Sequence, residues 1–188
     1  MAYHACMDAC IAIRTRRTIK SFTGAEVSRS QVEELVSLAC CAPNHRLTQP
    51  WRFAAIDRPG IARLIAFVQS DALVGVMDAR KVSTMVERVA GCGAIVQVSS
   101  VIAGGDEQQR EDRDATCAAV QNLLIAAQAS GLGSFWSTNP VFAHPAVVRW
   151  FGGDPAAECH IGAIWLGVPT QQPAAPPRRP LNEVLRWA

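Results

Sequence analysis

The chain has 188 residues and a mass of 20.2 kDa, enough for one domain with a sizeable core. It is 49% hydrophobic and only 18% charged, which excludes a disordered chain, a collagen and a coiled coil and suits a surface partly buried against a second copy. Its 18 Lys and Arg against 16 Asp and Glu leave a net charge of +2, so it is not a strongly basic nucleic-acid binder.

In chain order, Asp8 caps a first helix that runs to about Thr15. A turn-like stretch, Ser21 to Val27, leads to Ser28-x-x-Gln31. This is a capping box with Val27 and Val32 as its hydrophobic staple. Val32, Leu35, Val36, Ala39 and Cys40 then give one apolar helical face, which Pro43 ends. Arg52 to Asp57 reads as a strand, Arg58-Pro59-Gly60 as a turn and Ile61 to Gln69 as a helix. Ser70 to Glu87 is expected to be helical in part. Ala94 to Ile102, rich in Val and Ile, reads as a central strand that Gly104-Gly105 breaks.

A long helix is expected from about Glu107 to Ser130, charged in its first part and apolar all round in its second. Gly131 and Gly133 end it. Phe135-Trp136 begins a short strand, His144 to Phe151 is a short helix, and Ile161 to Val168 is another strand. The tail from Pro169 to Pro180 holds five prolines and must run extended, before Leu181 to Trp187 resumes an apolar pattern. Alternating helices and short strands leave α/β and α+β both open.

Val89 to Gly105 and Ala115 to Val148 carry no charged residue, but glycines, glutamines, serines and a proline interrupt them, so neither reads as a membrane span. The first ten residues show no basic region followed by an apolar stretch, so no signal peptide is expected. The seven cysteines, Cys6, Cys10, Cys40, Cys41, Cys92, Cys117 and Cys159, contain no C-x-x-C pair. They read as small hydrophobes in a reducing cytoplasm, and the four histidines supply no paired spacing for a metal site.

There is no P-loop, no dinucleotide-binding glycine motif and no nucleophile elbow, so nothing supports a hydrolase. Four segments are left that could hold a ligand. Arg14, Arg16, Arg17 and Lys20 form a basic cluster, with Thr18 adding a hydroxyl, that suits a phosphate or equally a solvated helix end. The loop Pro43-Asn44-His45-Arg46-Leu47-Thr48-Gln49-Pro50-Trp51 offers Asn44, His45, Thr48 and Gln49 to a heteroaromatic ring edge, or is a plain helix stop and turn. Gly131-Leu132-Gly133-Ser134-Phe135-Trp136-Ser137-Thr138-Asn139 allows close backbone approach to a ligand, or ends a helix before a core strand. Pro176-Pro177-Arg178-Arg179-Pro180 places cations on a stiff tail.

The order of these segments is more specific than any one of them. Arg16-Arg17-Thr18-x-Lys20-x-Phe22, then Ala42-Pro43 through Gln49-Pro50-Trp51, then Gln121-Asn122-Leu123-Leu124 through Gly131-Leu132-Gly133, then Leu166-Gly167-Val168-Pro169 and Arg178-Arg179-Pro180-Leu181, resembles the FMN-dependent nitroreductase family from Met7 to about Leu185. The short length and the Pro-Asn-His variant resemble its smaller members.

The resemblance implies a single α+β domain over 1–188 with a central, mostly antiparallel sheet between helices. Residues 1–6 would be an N-terminal extension, and the 169–188 tail would dock on a partner subunit. It implies an intertwined cytoplasmic homodimer with two FMN molecules at the interface, without nucleic acid or membrane. Carried over by position, Arg16, Arg17 and Thr18 contact the FMN phosphate and ribityl chain, and Lys20 lies near the flavin pyrimidine edge. Cys41, Asn44, His45 and Leu47 contact the flavin from the other subunit. Trp136, Ser137, Thr138 and Asn139 bring backbone to the ring near N5 and O4, and Arg178 and Arg179 reach the phosphate from the tail. Thr18 stands where Ser is usual, Leu47 where many members have Asn, and Cys41 where relatives carry a bulkier or basic residue.

The implied activity is a ping-pong transfer of hydride from NADH or NADPH to FMN and then to a nitroaromatic, a quinone or a similar small-molecule acceptor. The flavin carries the chemistry and no side chain is an obligatory acid or base. His45 is placed either to position the flavin or to donate a proton. Two alternatives keep the flavin: a binding protein without turnover, for storage or sensing, and a dehalogenase-like enzyme. A halotyrosine-type deiodinase would need a lid to clamp a zwitterion, and Ser70 to Glu87 carries Asp71, Asp78, Arg80, Lys81 and Glu87.

Overall fold

The computed structural model describes residues 7–70, 73 and 75–188. The 1–6 extension and Asp71 lie outside the described residues. Four strands, β1 (Trp51–Asp57), β2 (Ala94–Val101), β3 (Gly133–Ser137) and β4 (Glu158–Gly167), form one antiparallel sheet in the order β1-β2-β4-β3. The seven helices are α1 (Ala9–Thr15), α2 (Arg29–Ala39), α3 (Arg58–Val68), α4 (Ala79–Val89), α5 (Asp106–Ala129), α6 (Pro140–Ala143) and α7 (Pro145–Trp150) among the described residues. Strands paired only antiparallel, with helices set on both faces, make the fold α+β.

Side chains alternate between the two faces of a strand. On one face Val96, Val98, Ile164 and Leu166 pack with Leu35 of α2 and with Leu123 and Ala127 of α5. On the other, Ile95, Ala163 and Trp165 pack with Leu64 of α3, Met85 of α4, and Phe142 and Val147 of α6 and α7. Helices therefore cover both faces, which is why β2 is buried almost from end to end and shows no polar alternation.

The caps are those the sequence announces. Asp8 accepts from Cys10 and Ile11, and Ser28 and Gln31 close the capping box of α2. Two expectations need correction. Arg58-Pro59-Gly60 is the first turn of α3 rather than a separate turn, because Asp57 accepts from the Gly60 N–H at 2.8 Å and Pro fits where helical N–H groups have no partner. The helix expected from His144 to Phe151 is α7, and the sequence reading missed only the short α6 that precedes it and ends at its capping residue, His144. This residue is extended (φ −65°, ψ 133°, before Pro145) and caps α7 through its ring nitrogen. Gly133 also opens β3 instead of ending α5: a Cβ there would press on Ile19, so its bare backbone lets the 17–22 segment lie against the sheet. That segment is bridged to the sheet through Thr18 and Ser134, and the Ile19 N–H donates to Ser134 O at 2.9 Å.

β4 carries an irregularity opposite Val98 and Ser99. Beside it, Ser99 donates to the Glu158 carboxylate, and both ring nitrogens of His160 are buried without a hydrogen-bond partner. Burial pushes the His160 pKa down to about 4. In the unfolded chain the same ring titrates near about 6.5. Between those values the unfolded state binds the extra proton, so stability is complete above about pH 6.5 and is lost as pH falls towards 4. For a half-buried ring we expect a loss of about 1–2 kcal/mol across that window. Urea unfolding at pH 7 and pH 4.5 measures it, and His160→Gln should flatten that part of the pH profile.

Candidate functional site

The 15–23 segment carries the first group of candidate residues. It is threaded between β3 and the start of the tail. The Thr23 N–H donates to Val168 O at 2.9 Å, and Phe22 bridges to Pro169. The tail runs back along the same segment: the Thr170 hydroxyl lies 3.0 Å from Ser21 Oγ, and Gln172 Nε2 donates to Thr15 O at 3.0 Å. This brings Arg178 into the field of Arg16, beside Arg17 in sequence. Burial, then Arg178, then Arg17 hold the Arg16 guanidinium below its ordinary pKa. Arg17 folds back to donate Nη1 to Arg14 O and Arg16 O, each at 2.8 Å, and its Nε is buried with no partner.

Among the described residues the ion pairs are His45–Glu111 and Arg113–Asp114, so no carboxylate offsets these three guanidiniums. Clustered cations with an unspent, buried N–H form a receptor for an anion that brings several acceptor oxygens. Thr18 is exposed beside them, and Arg179 is exposed on the tail. Lys20 stands 5.1 Å above the ring of Phe135 in β3, a cation–π contact.

β3 leads directly to the second predicted segment. Trp136 Nε1 donates to Ile161 O at 3.2 Å, and Gly162 leaves the space that the indole occupies. Ser137 is buried and accepts from the Asn139 N–H at 3.3 Å. Asn139 caps α6 through Oδ1 and donates Nδ2 to Lys81 O at 3.1 Å. Three of the four side chains are thus spent on structure, which leaves the backbone and the exposed Thr138 for a ligand.

The 41–49 loop stands elsewhere. Cys41 is exposed, and its Sγ donates to Ser37 O at 3.6 Å. Asn44 Oδ1 accepts the Gln49 N–H at 2.9 Å and closes the loop on itself. His45 Nδ1 meets Glu111 Oε2 of α5 at 2.8 Å, and Thr48 Oγ1 donates to Asp112 Oδ1 at 2.6 Å. The Thr48 hydroxyl is therefore not free for a ring edge as the sequence suggested, whereas Gln49 spends only backbone groups and its side chain is exposed. Leu47 is 78% exposed. Arg46, Leu47 and Gln49 hold φ of 55°, 54° and 45°, left-handed values that cost non-glycine residues about 1 kcal/mol or more each unless the surroundings impose them.

Helix α5 holds both groups apart. At its far end Gln128 Nε2 donates to Thr15 Oγ1 at 3.3 Å, beside Arg16. Asp112 and Gln128 are separated by roughly 24 Å of helix, at 1.5 Å per residue. Within one chain the structure gathers Arg16, Arg17, Thr18, Lys20, Trp136 to Asn139 and Arg178, and it leaves Cys41, Asn44, His45 and Leu47 at the other end. Sequence reasoning missed Glu111, Asp112, Gln128 and Gln172. Asp112 had a readable signal: it shares a helical face with the buried Ala115, Thr116 and Ala119, where an acid needs a partner.

The nitroreductase family model matches residues 13–168 of the sequence. The chain belongs to the nitroreductase family. Over 179 residues it is 27% identical to the Bacillus subtilis protein named “Putative NAD(P)H nitroreductase YfhC”, covering 91% of this chain and 89% of that one. The nitroreductase-like family protein of Bacillus cereus superimposes with a TM-score of 0.81 at 22% identity, over all of this chain and 98% of that chain, and shows the same fold. A nitroreductase-family protein of Desulfovibrio desulfuricans, solved in complex with FMN, matches with a TM-score of 0.75 at 27% identity over 96% of each chain.

In this nitroreductase fold the guanidinium cluster makes a prediction that needs no cofactor. Inorganic phosphate should raise Tm at constant ionic strength, because a ligand of the folded state alone stabilises it. Arg17→Met should abolish the rise, as read by thermal unfolding in phosphate against chloride.

Proposed function

We propose that this protein is an FMN-dependent NAD(P)H oxidoreductase of nitroreductase type. The observation that carries the reading is the Arg17 Nε, buried without a partner among Arg16, Arg17 and Arg178, three cations with no carboxylate beside them. A phosphomonoester supplies the missing charge and acceptors. Family membership and the FMN complex of the Desulfovibrio desulfuricans relative supply the rest of the molecule.

In this reading Arg16, Arg17 and Arg178, with Thr18 and Arg179, hold the phosphate. Lys20 places a cation at the pyrimidine edge of the ring. Such a charge favours electron gain there, because it is fixed before the reaction and need not reorganise. The 136–139 backbone is presented to the other side of the ring by side chains that are locked in place. When bound, FMN supplies the hydride chemistry that links NADH or NADPH to a nitroaromatic, quinone or similar acceptor.

The 41–47 loop joins the same flavin only from a second copy, since α5 sets it roughly 24 Å from the cationic cluster of its own chain. We therefore read the molecule as a homodimer with two composite sites. The half-buried Cys117, Ala118 and Ile125 on α5, and the exposed Leu181, Val184 and Trp187 of the tail, supply apolar surface for the contact. A cytoplasmic location belongs to the same proposal. Among the described residues no helix is long and apolar enough to cross a membrane, and no cluster of metal-binding side chains is present.

The deciding experiment is a visible spectrum of the concentrated protein, reconstituted with FMN and titrated anaerobically with NADPH and then NADH. The flavin band should bleach. A band that persists with both donors identifies a binding protein without turnover, and failure to take up FMN overturns the reading. In the same titration Arg16→Ala should weaken FMN binding by about 1–3 kcal/mol. Sedimentation at micromolar concentration should give the mass of a dimer, and a monomer would remove the shared site.

A further inference from the structure

Asp112 is 3% exposed, yet its carboxyl group lies in the face of α5 that packs into the core. A buried carboxyl persists only where hydrogen bonds hold it. Its closest partner is Thr48 Oγ1 at 2.6 Å, and Gln108 Nε2 lies 3.5 Å from its second oxygen. Thr48 sits inside the strained loop, between Leu47 and Gln49, both left-handed. The loop's other hydrogen bonds run within it and to its flanks or lie at the exposed surface. Asn44 to Gln49 is local to the loop, and His45 to Glu111 joins side chains that are 57% and 40% exposed, where solvent weakens the pair. The Thr48–Asp112 bond is the tether that ties the loop to the protein interior.

We propose that Asp112 is a positioning residue of the flavin site. Through Thr48 it locks the Asn44–Gln49 loop in the conformation, left-handed at Arg46, Leu47 and Gln49, that turns His45 and Leu47 outward, towards the flavin held by the partner subunit. This rests on the functional reading above. It also assigns Thr48: its hydroxyl is committed to the interior, so it acts on the cofactor through the backbone of its neighbours. Strain in the loop is retained because a relaxed loop would present different atoms.

The test uses the full-length protein stripped of flavin and compares Thr48→Val, which keeps shape and loses the hydroxyl, with Thr48→Ser, which keeps the hydroxyl. Thr48→Val should weaken FMN affinity about tenfold in a fluorescence titration, the scale of one lost hydrogen bond to a charged or buried partner. Thr48→Ser should stay within about twofold of the native chain. In the flavin-free protein, Thr48→Val should also speed hydrogen exchange at residues 46–49 while leaving exchange in β2 unchanged. Asp112→Asn, which keeps an acceptor oxygen, should resemble Thr48→Ser where it folds; the Thr48 pair decides where it does not. The inference is overturned if Thr48→Val binds FMN like the native chain, or if Thr48→Ser binds as weakly as Thr48→Val. If the native chain itself takes up no FMN, the functional reading fails instead. Unchanged exchange in the loop would then overturn the clamp separately.

Discussion

Helix α5 packs its buried face along the sheet, and a side-chain hydrogen bond at each end holds one half of the proposed site: Asp112 to Thr48, and Gln128 to Thr15. A helix is stiff along its axis, so this arrangement fixes a length. The cationic segment and the 41–49 loop cannot approach each other without breaking the core around Leu123 and Ala127. In the proposed homodimer each half is therefore built by one chain and completed by another. The tail follows the same logic, since Thr170 and Gln172 tie its first part to its own 15–21 segment before its apolar end runs on exposed.

The local energetics run against the isolated chain at both ends. Three guanidiniums gathered without a carboxylate repel one another, and burial of Arg16 adds to that cost. The loop keeps three non-glycine residues in left-handed conformations. Features of this kind persist where a ligand or a function rewards them, and the two cores carry the stability they remove. The Trp136 to Asn139 segment shows the opposite treatment. Trp136, Ser137 and Asn139 spend their side chains within the fold, so the backbone it presents is held in place. A redox cofactor needs such a mixture: mobile counter-charge would reorganise as electrons arrive, and fixed dipoles and cations need not.

Much of the fold was legible because local chemistry decides it. Asp8, Ser28 and Gln31 cap where their types predict, and the central strand at Ala94 and the long helix were placed within a residue or two. Where the reading failed, context beyond the local pattern was the cause: Pro59 starts α3 because Asp57 caps it, and Gly133 opens β3 against Ile19 instead of ending α5. The site was legible only as an ordered series of segments. Nothing in the residues near Arg16 says that Arg178 returns to them, because that contact spans most of the chain and depends on Gln172 and Thr170 in a tail without periodicity. Nor does the loop sequence show that Thr48 faces inward. That follows from Asp112, an acid on an apolar face far along the chain, whose partner only the tertiary structure supplies.

A composite site also couples assembly to cofactor. If FMN touches the guanidinium cluster of one protomer and the 41–47 loop of another, it binds the dimer more tightly than it binds either chain alone. Linkage then requires FMN to strengthen the dimer by the same factor. In the proposed dimer that coupling would run through the loop, the part of the site that the second chain would provide. The hydrogen bond from Thr48 to Asp112 thereby acts at two levels. It holds a few residues in a costly conformation, and in the proposed dimer it would keep the contact by which one protomer senses a flavin bound to its partner.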